Sequence, residues 1–214
     1  MLYYTMFWFI CQPLNTVMLP IRYKPEHNYV FTDHVKEIPN VLDDYQINRL
    51  RQALWDNAGL HRRGSKDPGV TASFYTCLLG HLGDELYPML NYIWEENKNI
   101  IFIEPYEIKL YVEGDVFSWH RDGYVNLDEN VSRTMNLIIQ LSDESEYDGG
   151  DLIIGNHRCT RSKGSAIIFP AILPHEVTAI TRGERYSLIG HGWSRYQHIG
   201  MSGQLSPQES PDRI

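Results

Sequence analysis

Cysteine is scarce in this chain: Cys11, Cys77 and Cys159 are widely separated, too few and too scattered for a disulfide framework or a zinc-thiolate site. Reduced thiols in a cytoplasmic protein are the expectation. Basic charge is also in deficit. Lys and Arg number 19 against 27 Asp and Glu, a formal net charge of −8, which argues against a generic duplex-DNA binder, since that needs a basic face to displace counterions. The chain has no internal repeat and no clean hydrophobic run. Its apolar start, MLYYTMFWFICQPLNTVMLP, is interrupted by Gln12, Pro13 and Asn15 and has no basic residue before them. A bilayer span needs about 20 predominantly apolar residues, and a signal peptide needs a positive start and a small-residue cleavage site. Translation starting at Met18 is the preferred explanation, with a packed extra strand or a weak membrane anchor as alternatives.

What is present is a change of period. The 214 residues suit a single core. Over VLDDYQINRLRQALWDNAG, Ile47, Leu50 and Leu54 recur at helical spacing behind Asp43 and Asp44, which favour a helix N-terminus. GHLGDELYPMLNYIWEENKNI repeats the pattern with Leu82, Leu86, Leu90 and Ile93 and predicts a second helix. Between them HRRGSKDPGVTAS is polar and broken by Gly and Pro, the composition of a loop and a candidate lid carrying Arg62 and Arg63. From about residue 104 the period becomes two. YEIKLYVE, TMNLIIQLS, GDLIIGN, SAIIFPA, HEVTAIT and RYSLIGHGW are short, β-branched and aromatic, with Gly, Asp, Asn and Pro between them. Many short strands after helices predict a mostly β fold, a double-stranded β-helix of jelly-roll or cupin type with N-terminal helices on an outer face. The expected layout is an apolar extension over 1–20, a helical support region of the same domain over 21–103, the catalytic core over 104–196 and a disordered Ser, Pro and Gly-rich tail over 197–214.

Within the β-rich part, YVEGDVFSWHRDG places His120 and Asp122 two apart, and LPHEVTAITRGERYS supplies His175, Arg185 and Ser187. Residues i and i+2 of a strand share a face, so His120 and Asp122 can meet one ion while Arg121 points away. His175 opens a later strand and can close the set. Two histidines and one carboxylate suit a divalent iron with open positions opposite them. Arg185, an inward neighbour of Ser187, offers a fixed fork to a carboxylate. The pattern predicts an Fe(II)/2-oxoglutarate oxygenase, against the plainer alternative of core histidines and a structural ion pair. Gly149 and Gly150 predict a turn or a close backbone approach, Arg133 a structural ion pair in preference to a substrate contact, Tyr124 a lid or substrate contact at the pocket mouth or a loop tyrosine with no role, and His191 an edge or surface position in preference to a fourth polar group in the pocket.

The segments YVEGDVFSWHRD, SRTMNLIIQLS, EYDGGDLII and HEVTAITRGERYS together resemble the prolyl 4-hydroxylase superfamily of Fe(II)/2-oxoglutarate dioxygenases over about residues 104–195, with the bacterial PKHD-type hydroxylases nearest in character. The resemblance implies iron ligands His120, Asp122 and His175, and 2-oxoglutarate contacts from Arg185, Tyr111 and Ser187. A buried aromatic filling the barrel is the other reading of Tyr111. The resemblance also implies O2 as co-substrate, ascorbate as reductant, and hydroxylation of a peptidyl proline or related side chain with succinate and CO2 as co-products. A free amino acid or other small molecule is the alternative substrate, and a non-catalytic binding module the alternative class. Asp151 stands where the family more often has Glu. Some members carry Lys where this chain has Arg185, which favours the bacterial-type branch.

Overall fold

The computed structural model describes residues 16–18, 34–56, 59–64, 69–79, 90, 93–94, 99–126 and 129–195. The first elements are β1 (Thr16–Met18), β2 (Lys36–Ile38), α1 (Asp44–Asp56), β3 (His61–Gly64), β4 (Ala72–Leu78) and β5 (Ile100–Ile103). They are followed by β6 (Glu107–Tyr111), β7 (Val116–His120), β8 (Tyr124–Asn126), β9 (Val131–Gln140), β10 (Tyr147–Gly149), β11 (Leu152–Ile154) and β12 (His157–Arg158). The chain then forms β13 (Ala166–Pro170), β14 (His175–Val177), β15 (Ile180–Gly183) and β16 (Arg185–Arg195). Every pairing is antiparallel. One sheet runs β1-β8-β9-β16-β6-β4-β7-β14-β11-β12, with β13 bridging β9 and β2, β3 on β4 and β5 on β16, while β10 and β15 form a separate pair. This curled sheet is the jelly-roll that the short strands predicted.

Helix α1 begins where the sequence says it should. The Asp43 carboxylate accepts the Gln46 amide at 2.8 Å and the Gln46 side chain accepts the Asp43 amide at 2.9 Å, a reciprocal cap that satisfies two otherwise orphaned donors. Ile47, Leu50 and Leu54 are buried against Ile108, Leu110, Leu137, Ile139 and Leu188 of the sheet. Strand alternation then divides the protein into two cores. Ile108 and Leu110, Leu137 and Ile139, and Tyr186 and Leu188 face the helix, while Tyr111, Ile138 and Ile189 face inward with Phe74, Leu152, Phe169 and Val177. The inward face is where the candidate site residues project.

Two expectations change. His61–Gly64, expected in a loop, is strand β3 paired with β4 from His61↔Thr76 to Gly64↔Ser73. All four residues are exposed, so this edge strand carries no apolar period to read. Arg62 there forms an ion pair with the buried Asp115, which also accepts from Ser73 Oγ at 2.7 Å and the Val112 amide at 3.0 Å, and so fixes the turn before β7. The stretch 21–103, expected as helical support, holds β2 to β5 beside α1. Of the second expected helix, Leu90, Ile93 and Trp94 are described; they are helical and buried, and its remaining periodic positions lie outside the described residues. So do the tail and most of the apolar start, from which Thr16–Met18 pairs with Tyr124–Asn126. Among the described residues, no helix is long and apolar enough to cross a membrane.

Candidate active site

His120 ends β7 and His175 opens β14, and the two are register partners. This pairing brings residues 55 positions apart to one mouth of the barrel. The Asp122 amide donates to the Ala171 carbonyl at 3.0 Å and holds the carboxylate between the two rings. His175 Nε2 lies 3.2 Å from Asp122 Oδ2 and His120 Nε2 lies 3.8 Å from Asp122 Oδ1. The three ligand atoms lie within 4.8 Å of one another, a spacing that suits one divalent cation. Each ring also has its other nitrogen assigned. His120 Nδ1 meets the Ser118 carbonyl at 2.8 Å and His175 Nδ1 the Leu173 carbonyl at 3.0 Å. A carbonyl can only accept, so each Nδ1 carries the proton and each Nε2 presents its lone pair to the centre.

For His120 the electrostatics agree with a neutral ring. Burial, reinforced by the neighbouring His175, pushes the His120 imidazole down to about 3, so it stays neutral and able to ligate at neutral pH. Burial alone would raise the Asp122 carboxyl, but the charge and hydrogen bond that His175 supplies when its Nε2 is protonated, with His120 behind them, hold it well below the ordinary carboxylate range in the metal-free site. His120 is further fixed by stacking on Phe117 at 3.5 Å between ring centroids.

Behind Asp122 stand Asn136, which the sequence did not single out, and His191. Asn136 Nδ2 donates to Asp122 Oδ2 at 2.9 Å, and Asn136 Oδ1 accepts from His191 Nδ1 at 2.8 Å. His191, expected at an edge or surface, is instead buried on central strand β16 opposite Asn136, and burial holds its imidazole well below the usual value. The signal for Asn136 was present: in TMNLIIQ, Asn136 and Gln140 are four apart and so share the inward face of β9. Arg133 takes the structural role expected, donating from Nε to Glu104 at 2.9 Å. It lies over Tyr124 at 4.8 Å, so Tyr124 packs beneath a fixed cation at the edge of the site.

Arg185 opens β16 beside Tyr111 and is 1 % exposed. Its Nη2 donates to Gln140 Oε1 at 3.0 Å, its Nη1 reaches Ser187 Oγ at 3.5 Å, and its Nε has no partner. No carboxylate among the described residues pairs with it. A guanidinium cannot shed its proton, and a buried cation without an anion is costly. The site therefore has an unmet demand for negative charge. The Tyr111 ring lies 5.5 Å from the guanidinium carbon, and burial pushes its phenol far above the ordinary value, which keeps it a neutral hydroxyl. A narrow cavity, part of it open to solvent, is lined by His120, Asp122, His175, Arg185, Tyr111 and Ser187, so all six sequence-predicted site residues meet there. Lys109, which the sequence reading passed over, lines it too, with its ammonium 3.6 Å from Glu107 and over the Phe74 and Phe117 rings. Its signal is the same alternation: Glu107, Lys109 and Tyr111 share one face of β6.

The glycines near this wall permit contacts that no Cβ would. Gly149 has φ +72°, and a Cβ there would sit 2.0 Å from the Ala179 carbonyl oxygen. This is the close approach expected of the pair, made between β10 and β15 across the sheet instead of within a hairpin.

A curled antiparallel barrel whose mouth gathers two histidines, one carboxylate and a buried arginine with no carboxylate partner among the described residues has the composition a 2-oxoglutarate-dependent metal oxygenase requires. Comparison with known proteins agrees. Residues 106–194 match the model of the 2OG-Fe(II) oxygenase superfamily. A PKHD-type hydroxylase of Acinetobacter baylyi is 30% identical over 174 residues, covering 72% of this chain and 75% of that protein. Among solved structures, a Pseudomonas putida prolyl-4-hydroxylase superposes with TM-score 0.59 at 20% identity, over 76% of this chain and 94% of that one. A Trichoplax adhaerens prolyl hydroxylase in complex with a hypoxia inducible factor peptide fragment gives TM-score 0.59 at 14% identity, over 81% and 89%. The chain belongs to the 2OG-Fe(II) oxygenase superfamily. It is accordingly an oxidoreductase, a dioxygenase whose family uses Fe(II), 2-oxoglutarate and O2.

Proposed function

We propose that this protein hydroxylates a peptidyl proline or a related side chain, with His120, Asp122 and His175 as the iron ligands and Arg185 as the anchor of the 2-oxoglutarate distal carboxylate. The observation that carries the reading is the coexistence, in one cavity, of a three-ligand cluster and a buried guanidinium with an unsatisfied Nε–H. The donor set fits Fe(II), and the orphaned donor fits a carboxylate. Iron bound there supplies the oxidising chemistry, in which 2-oxoglutarate and O2 become succinate and CO2 as the substrate gains a hydroxyl. The residues of this chain bind, orient and exclude. Ser118 and Leu173 lock the two imidazoles, and Asn136 aims the Asp122 carboxylate. Arg185 holds the dicarboxylate at its far end, braced by Gln140, and Tyr111 and Ser187 offer hydroxyls beside it. The walls Phe117, Ile138, Leu152, Val177 and Ile189 keep bulk water from the centre, the usual protein contribution in cofactor chemistry. Ascorbate is the reductant that this reading assigns for keeping the iron divalent. Hydroxylation is supported by the hydroxylase relative, and a peptide substrate by the prolyl hydroxylase of the same fold that was solved with a peptide fragment.

The test begins without oxygen. Fe(II)-loaded protein given 2-oxoglutarate is expected to show a weak visible charge-transfer band, and admitting O2 is expected to yield succinate, faster when a suitable proline-containing peptide is present. Succinate that no proline peptide accelerates would move the substrate to a free amino acid or another small molecule. A folded, iron-loaded protein with neither band nor succinate would contradict the enzyme reading of this site.

A further inference from the structure

The scattered cysteines gave no reason to expect a metal–thiolate site, yet folding places Cys159 beside an imidazole and a carboxylate from another part of the chain. Glu37 lies on β2, which pairs with β13 through Glu37↔Ile167. His157 lies on β12, and Cys159 follows it, with its amide donating to the Leu152 carbonyl at 2.9 Å. Their ligand atoms lie within 4.8 Å of one another. The Glu37 carboxylate is aimed from two sides: its Oε1 sits 2.9 Å from His157 Nε2 and accepts the Thr160 amide at 3.0 Å. Cys159 is buried and unoxidised, and none of the three takes part in the chemistry of the barrel mouth.

We propose that Glu37, His157 and Cys159 form a second metal site, for a borderline cation of the Zn(II) class, separate from the His120–Asp122–His175 cavity. One thiolate, one imidazole and one carboxylate make a mixed donor set that suits zinc better than hard oxygen-seeking cations. Tetrahedral zinc with ordinary bond lengths sets neighbouring donors about 3.5 Å apart, so rotamer adjustments of about an ångström complete the geometry, with water as the fourth ligand. Binding exchanges one cation for the Cys159 proton, which passes to solvent, and requires His157 to be neutral. The cation then ties β2 to the β12 segment, joining residues 120 apart in the chain. Strand β2 pairs through only three residues, so such a clasp secures an otherwise weakly held edge.

The sulfur ligand separates this site from the first, which has none. Full-length protein is titrated anaerobically with Co(II), and metal stoichiometry is read beside the near-ultraviolet sulfur-to-cobalt charge-transfer band. Two equivalents are expected, one of them producing the band. Cys159→Ser and His157→Ala are each expected to remove the band and one equivalent, whereas Cys11→Ser, Cys77→Ser and His120→Ala retain the band. His157 is half-exposed, so its variant tests the site even where a core change at Cys159 harms folding. A single equivalent without a sulfur band in the parent protein, or a band that survives Cys159→Ser, would overturn the proposal.

Discussion

At the scale of single residues, Arg185 and Asn136 do separate tasks and their variants distinguish them. Arg185 is a buried cation with no carboxylate partner among the described residues, so under the proposed function replacing it with Gln removes the charged partner of the 2-oxoglutarate carboxylate. Loss of such a buried charge pair costs about 2–5 kcal/mol, and the 2-oxoglutarate affinity of Arg185→Gln, measured by anaerobic calorimetry, is expected to fall accordingly while iron affinity holds. An unchanged affinity would remove Arg185 from the site. Asn136 does not line the cavity but donates to the Asp122 carboxylate and links it to His191. Outer partners of metal ligands typically carry about 10–100-fold in affinity, so Asn136→Ala is expected to weaken Fe(II) binding by that order with 2-oxoglutarate binding to the reloaded protein little changed. The reverse pattern would assign Asn136 to the co-substrate. The ligand triplet and Arg185 were readable because the i, i+2 spacing and charge type are local properties. Asn136 and Gln140 were harder, since their meaning rests on which side of β9 faces the cavity, and that depends on β16 and β13 lying either side of it. His191 was misplaced for the same reason: a histidine between two glycines near a chain end looks peripheral until β16 is seen to be central.

At the scale of elements, the pair β10–β15 sets the wall from which Arg185 projects. Gly183 adopts φ +78°, and a Cβ there would lie 2.0 Å from the Glu146 carbonyl oxygen. Gly183→Ala therefore meets both a left-handed backbone and a backbone clash, and each strained residue of this kind costs on the order of 1–3 kcal/mol. A lowered urea midpoint is expected, together with a raised 2-oxoglutarate requirement because Arg185 lies two residues on. A midpoint equal to the parent's would show that the strands can part there without cost. Elements with an apolar period were legible in the sequence: α1 with its Asp43 cap, and the inner strands β6, β9 and β16. Strand β3 was not, since its four residues are all exposed and its place comes from backbone pairing with β4 and from the ion pair of Arg62 with the distant Asp115.

At the scale of the whole molecule, the buried imidazoles link stability to pH. His120 is pushed down to about 3 by burial, and His191 is lowered by burial as well. A group with a depressed folded value binds more protons when unfolded, so stability rises with pH across the window between the two values. The metal-free protein is expected to be most stable above about pH 6.5, the unfolded histidine value, and its melting temperature to fall as the pH drops toward 3. The depressed Asp122 carboxyl acts in the same direction at the acid end. A flat melting temperature from pH 6.5 to 4 would mean that these rings are accessible to protons in the folded state. If His120, Asp122 and His175 hold iron for 2-oxoglutarate turnover in this one cavity, succinate production responds to them most directly. With iron loading and folding matched to the parent, His120→Ala, Asp122→Ala and His175→Ala are each expected to abolish oxygen-dependent succinate formation. Near-normal succinate from any one of them would contradict the assignment of that residue as a ligand, and from all three would place the chemistry elsewhere.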